Sequence, residues 1–177
     1  AVNQAVEDLI IANWDIKTWS KIKAKSGFTD EMFLSNEPYP DKLTYDLVIA
    51  TNEVTKMPVE DILFALGEHW ILETGMKKYG SLLKSGGTDF KGFIGYLPKF
   101  HGRIMLLYPN IIPPEFEVEE IKNNIFQVKY FSERPGLTQF VNGLLHGIAK
   151  MFNTTAIISL ISSKSDTQNF DLFQVEI

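Results

Sequence analysis

The hydrophobic pattern of this chain changes period once, at Pro109, Pro113 and Pro114, and that change limits the fold more than any other feature. Before it, apolar residues recur at steps of three and four, the spacing of one helix face. After it, Phe116 and Val118 alternate with charged residues, as on a strand with one buried side. Paired prolines enforce extended backbone between the two regimes, because each disfavours helix in the residue before it.

Within the first regime, Val2, Val6, Leu9 and Ile10 predict one helix, and Trp19, Ile22 and Lys23 a second that Ser26-Gly27 ends. Pro38 and Pro40 mark a loop before a helix over 43–54. Met57-Pro58-Val59-Glu60 predicts another start, where proline's missing N–H is not needed, and this helix should run to about Glu73. Ser85-Gly86-Gly87 is a loop before a long apolar-periodic helix over 90–108. In the second regime, Lys122-Asn123-Asn124 turns the chain into a partner strand through Phe126, Val128 and Tyr130. A helix over 136–152 follows, then strands over 156–161 and 170–177 joined by a polar turn. Helices, hairpin, helix, hairpin is the order of an α+β fold with an antiparallel sheet, and 177 residues suit one domain.

Composition removes several functions. With no cysteine, disulfides, thiolate-bound metal, iron–sulfur clusters and covalent c-type haem attachment are excluded, and a cytoplasmic location fits. A net charge of −5 and no run of Lys and Arg argue against nucleic acid as a partner. No membrane span or signal peptide is expected, since the most apolar stretch, 62–72, is short and carries Glu68 and His69. The missing initiator Met implies residues trimmed ahead of Ala1. Gly-rich phosphate loops, a zinc-hydrolase helix motif and a nucleophile elbow are all absent, so an enzyme has little to stand on.

Two constellations carry chemistry. Phe90, Ile94, Leu97, His101, Met105 and Tyr108 lie on one helical face, which puts a histidine within an apolar stripe. Periodicity leaves two readings open, a satisfied core histidine or an axial metal ligand facing an apolar cavity. Tyr130, Ser132 and Arg134 alternate at a strand end, so a phenol, a hydroxyl and a guanidinium face one side. Those donors suit carboxylates, which a guanidinium binds bidentately. A bare strand end with a surface arginine is the plain alternative. A buried histidine together with a carboxylate clamp is what haem b requires.

These residues resemble the haem-nitric oxide/oxygen binding (H-NOX) family, sensor domains related to the haem domain of soluble guanylate cyclase. Tyr130-Phe131-Ser132-Glu133-Arg134 matches the family's Tyr-x-Ser-x-Arg signature in full, with His101 twenty-nine residues before Tyr130 and Pro113-Pro114-Glu115-Phe116 between. Leu66-Gly67-Glu68-His69-Trp70 and Gly143-Leu144-Leu145-His146-Gly147 resemble two further family segments. The resemblance implies His101 as proximal iron ligand, Tyr130, Ser132 and Arg134 on the haem propionates, and Pro114 pressing on the porphyrin. Trp70, Phe140, Leu144 and Val2 would line the distal side, Phe140 standing where oxygen-binding members carry a tyrosine. It divides the chain into a helical portion of about 1–60 and a haem-binding portion of about 61–177. One departure matters. Many members have Asp three residues before the histidine, and Pro98 stands here, so a kink and a lost polar contact to His101 are expected.

The function implied is a non-enzymatic sensor. Nitric oxide or carbon monoxide at ferrous haem b would act through the His101 helix on a partner, a histidine kinase or cyclic-dinucleotide enzyme. Two alternatives stand beside it: a haem-free module binding another apolar carboxylate, and an oxygen binder using Trp70 as distal donor. A haem enzyme is disfavoured because no distal acid–base pair is evident.

Overall fold

The computed structural model describes residues 2–30, 32–33, 39–107 and 113–177. Helix α1 (Val2–Asn13) is followed by α2 (Ile16–Ser26), which starts where the Asp15 carboxylate accepts from the Thr18 N–H at 2.6 Å. It stops at Gly27, whose φ of 77° suits a residue without Cβ. Helices α3 (Asp41–Thr55) and α4 (Val59–His69) complete the packing around Val6, Ile10, Trp19, Ile22 and Leu47, all buried.

The helix expected to end near Glu73 does not end there. It widens into a π-helical segment (Trp70–Gly75) and continues as α5 (Met76–Lys84), bent at Tyr79. A Cβ on Gly75 would stand 2.9 Å from the Trp70 carbonyl oxygen, so the wide turn needs the small residue. Helix α6 (Phe90–Leu107) runs through Pro98 as a single element rather than restarting. Its apolar face is shorter than its period suggested. Phe90, Ile94 and Leu97 are buried, but Met105 is 53% exposed and Leu106 84%. Tyr108, Pro109 and Pro38 lie outside the described residues.

The second half is an antiparallel sheet with one covering helix. Strands β1 (Glu115–Lys122) and β2 (Ile125–Phe131) form the expected hairpin, α7 (Thr138–Met151) follows, and β3 (Ile157–Ser162) and β4 (Asp171–Glu176) close the sheet in the order β1-β2-β4-β3. Register sets Phe116 opposite Tyr130 and Val128 opposite Phe173. The inward residues Phe116, Phe126, Val128, Tyr130, Phe173 and Val175 share one core with Leu97 and Phe100 of α6 and Val141, Leu145 and Ile148 of α7.

Among the described residues two large cores result, with a small cluster of Val48, Ile62 and Leu63 beside the helical one, and α4 against α7 joins the two large cores. Glycines set that contact: a Cβ on Gly143 would overlap the Phe64 carbonyl oxygen, and one on Gly67 would overlap that of Phe140. Backbone meets backbone there. Trp70 packs against both cores.

Candidate ligand-binding site

His101 is partly buried on α6, with the Phe116 ring 4.7 Å away and the Phe100 ring 5.6 Å away. Its Nδ1 lies 3.0 Å from the Leu97 carbonyl oxygen, one turn back. A carbonyl can only accept, so Nδ1 carries the proton and Nε2 keeps its lone pair. Burial pushes the imidazole below its ordinary pKa, against the opposing pull of the Leu97 carbonyl. A neutral ring with a fixed tautomer and an open nitrogen is the form that ligates a metal. The polar contact expected to be lost with Pro98 is thus supplied by the backbone of Leu97.

A ring ladder connects this histidine to the strand end. His101 touches Phe116, and the Phe116 ring lies 5.4 Å from that of Tyr130, its cross-strand partner. Pro114, partly buried, stands two residues before Phe116 at the entry to β1. Tyr130 is buried and its phenol is pushed up, chiefly by burial and partly by Asp171, while Ser132 and Arg134 work the other way.

Tyr130, Ser132 and Arg134 line one recess of about 190 Å³ with Thr138, Lys164 and Asp171. The Arg134 N–H donates to Ser132 Oγ at 3.1 Å, which folds the turn on itself. From α3, Asp41 accepts from Arg134 Nε at 2.8 Å, and Tyr45 donates to the Pro135 carbonyl at 2.8 Å. The recess is smaller than the roughly 300–1,000 Å³ of a pocket that encloses a whole small-molecule ligand. A separate recess of about 310 Å³ between α1, α3 and α4, with Trp14, Thr51, Glu68 and His69 in its wall, contains none of the residues that the resemblance assigns to haem.

The residues assigned to the distal side fall around the junction of the two cores. Val2 and Phe140 pack on the helical core, Leu144 on the sheet core and Trp70 on both. The Trp70 indole stacks on Tyr79 with ring centroids 6.2 Å apart, and its Nε1 is buried without a hydrogen-bond partner. His69 Nε2 and Thr74 Oγ1, beside and within the π-helical segment, are likewise buried and unpartnered. Among the described residues no group of three or more His, Asp or Glu converges as a metal site, and no helix is long and apolar enough to cross a membrane.

The family model for haem-NO-binding domains matches residues 1–160. The chain belongs to the haem-NO-binding family. The family's domain binds haem and senses diatomic gas; it is a sensing unit, not a catalytic one. Solved H-NOX proteins share the fold: one from S. oneidensis in the Fe(II)NO state has TM-score 0.85 and 21% identity, covering 99% of this chain and 96% of that one. Another, from K. algicida, unliganded Fe(II), has TM-score 0.83 and 21% identity over 99% and 94%. Among curated relatives, soluble guanylate cyclase gcy-31 of Caenorhabditis elegans is 27% identical over 84% of this chain and 21% of its own length. Guanylate cyclase soluble subunit beta-2 of Rattus norvegicus is 29% identical over 62% and 16%. This H-NOX chain therefore spans about a fifth of the length of the curated relatives it matches.

Asp41, Tyr45, Lys164 and Asp171, all against the Tyr-x-Ser-x-Arg turn, had no signal in the sequence. Arg134 and Asp41 are 93 residues apart. Only the position of Asp41 directly after Pro40, at a helix start, hinted at a fixed carboxylate.

Proposed function

We propose that this domain holds haem b with His101 as the iron ligand and Tyr130, Ser132 and Arg134 on the propionates, and that it reports nitric oxide and carbon monoxide to a signalling enzyme. The observation that carries the reading is the His101 ring: neutral, its Nδ1 engaged by the Leu97 carbonyl, its Nε2 left open. Haem supplies the iron at which a diatomic gas binds and the two carboxylates that anchor it. The donor set fits. One imidazole lies on an apolar helix, a buried Tyr, a Ser and an Arg share a recess, and the rings of Phe116 and Tyr130 lead from one to the other. Pro114, by its place before β1, serves as a wall against the macrocycle, and Val2, Trp70, Phe140 and Leu144 form the gas side.

Transmission follows from what each element is tied to. His101 is fixed to its own helix through Leu97, so a change at the iron bond acts on α6 as a body. The helical and sheet cores meet at α4 and α7 and share Trp70, so a movement of α6 in the sheet core is passed to the helical half through that junction. Partners are read by analogy: several relatives are named as guanylate cyclases and are about five times longer, which supports a sensor coupled to a nucleotide cyclase, a cyclic-dinucleotide enzyme or a histidine kinase.

A second reading, stable oxygen binding, is favoured by one observation, the buried Trp70 N–H with no partner. Oxygen on ferrous iron gains from a distal donor, whereas nitric oxide needs it much less. Phe140 offers no donor. Reduced protein is expected to change its absorption spectrum with nitric oxide and with carbon monoxide but to form no durable complex in air. Phe140→Tyr should add one hydrogen bond, worth about 1 kcal/mol or more, and raise oxygen affinity roughly tenfold. An air-stable complex in the wild type, abolished by Trp70→Phe, would move the role to Trp70. A protein that takes up no haem on reconstitution would sink the reading and leave the carboxylate-binding module.

A further inference from the structure

We propose that Lys164, in the turn between β3 and β4, is a fourth member of the carboxylate clamp, supplying the second cation that a two-carboxylate ligand needs. The proposal rests on the reading of Tyr130, Ser132 and Arg134 as the propionate site. Lys164 lines the same recess as those three residues, although it lies 32 positions from Ser132. Its ammonium donates to the Ser132 backbone carbonyl at 2.8 Å, which uses one of three donors and leaves two to face the recess. It forms no ion pair among the described residues, so no carboxylate already claims it.

Charge around the recess gives the reason. Arg134 is the only cation of the Tyr-x-Ser-x-Arg signature, and its Nε is bonded to Asp41. Asp171, 5% exposed, lines the recess as a second carboxylate. Without Lys164, the recess would be lined by one anion, Asp171, and one cation already paired with Asp41 of α3, where two more carboxylates must enter. With it the recess is balanced, and entering carboxylates meet donors on both sides of the turn.

The local structure holds Lys164 in place. Its backbone N–H donates to Asp171 Oδ1 at 2.6 Å, and Thr138 at the start of α7 donates to Asp171 Oδ2 at 2.7 Å. Both oxygens of that carboxylate are thereby engaged, so Asp171 fixes the turn and presents the lysine side chain toward Ser132. The β3–β4 turn and the start of α7 meet on this one carboxylate, and Asp171 itself pairs with Tyr130 at the end of β2.

The experiment measures transfer of haem from the protein to an excess of apomyoglobin. Wild type, Lys164→Met, Lys164→Arg and Arg134→Ala are compared, each loaded either with haem or with its dimethyl ester, whose carboxylates are capped. Lys164→Met keeps the stem and removes the charge; it should speed haem loss roughly tenfold, the size of one charge-assisted hydrogen bond lost at a partly exposed site. Lys164→Arg should restore a rate near that of the wild type. With the ester, wild type and Lys164→Met should lose cofactor at the same rate. Equal acceleration with haem and ester would make Lys164 a staple of the turn and overturn the proposal. Acceleration by Arg134→Ala but not by Lys164→Met would overturn it while leaving the propionate site in place. No effect from either variant would remove the propionate site and Lys164 with it.

Discussion

His101→Gly is expected to purify with little or no bound haem, and millimolar imidazole is expected to restore both occupancy and the absorption spectrum. Glycine removes the whole ring from a site whose neighbours, Phe100 and Phe116, offer no donor, so nothing nearby can replace the lost bond. A metal–nitrogen bond contributes more than a neutral hydrogen bond, so occupancy should fall by well over about tenfold under limiting haem. Free imidazole fits because the substitution opens a ring-shaped gap, and the Leu97 carbonyl remains to take its N–H. The rescue separates a ligand from a packing residue. A destabilised variant would lose haem too, but would not recover it with a soluble base. Full haem content and an unaltered spectrum in His101→Gly would end the assignment.

The sequence singled out His101 and the Tyr130, Ser132, Arg134 set as candidates for a definite reason, while their roles came only from the family resemblance. Both depend on short-range periodicity: a helix step of four between Leu97 and His101, and strand alternation up to Tyr130, beyond which β2 ends at Phe131 and a turn rather than the strand carries Ser132 and Arg134. The expected hairpin and the α+β order were legible in the same way, from alternation at Phe116, Val118, Phe126 and Val128. What escaped depends on other physics. The partner of His101 Nδ1 is a backbone carbonyl, which no residue type encodes, so losing an Asp to Pro98 looked like losing the contact. Arg134 meets Asp41 and Pro135 meets Tyr45 across about ninety residues, contacts that only the packing of α3 on the β2–α7 turn creates. The π-helical segment arises from one extra residue per turn between Trp70 and Gly75, and period counting reads straight through it. Met105 kept the helical period but fell on the part of α6 beyond its cover, where periodicity predicts a face and tertiary structure decides whether anything lies against it.

Gly143→Ala is expected to cost about 3 kcal/mol or more, lowering the melting temperature by roughly 6–12 °C for a domain of this size. The added methyl would coincide with the Phe64 carbonyl oxygen, and a main-chain atom cannot swing aside as a side chain can. Helices α4 and α7 would have to separate, breaking the contact that joins the two cores. Gly67→Ala should behave alike, since its methyl would overlap the Phe140 carbonyl oxygen. The control is Gly95→Ala in α6, where a Cβ meets nothing within 4 Å. There alanine lowers the entropy of the unfolded chain and should raise stability by about 0.5–1 kcal/mol. Opposite signs for the same chemical change would isolate helix approach as the cause, because helix propensity alone favours alanine at all three sites. The functional consequence follows from where these glycines sit. Gly67 precedes Trp70 by one turn, and Gly143 lies between Phe140 and Leu144, so any parting of the helices moves three of the four residues assigned to the gas side, Val2 of α1 being the exception. Gly143→Ala should therefore shift the carbon monoxide spectrum as well as the melting point, whereas Gly95→Ala should leave the spectrum alone. Melting of Gly143→Ala within about a degree of wild type, well inside the roughly 2–4 °C that each kcal/mol produces, would mean that the two helices do not approach this closely.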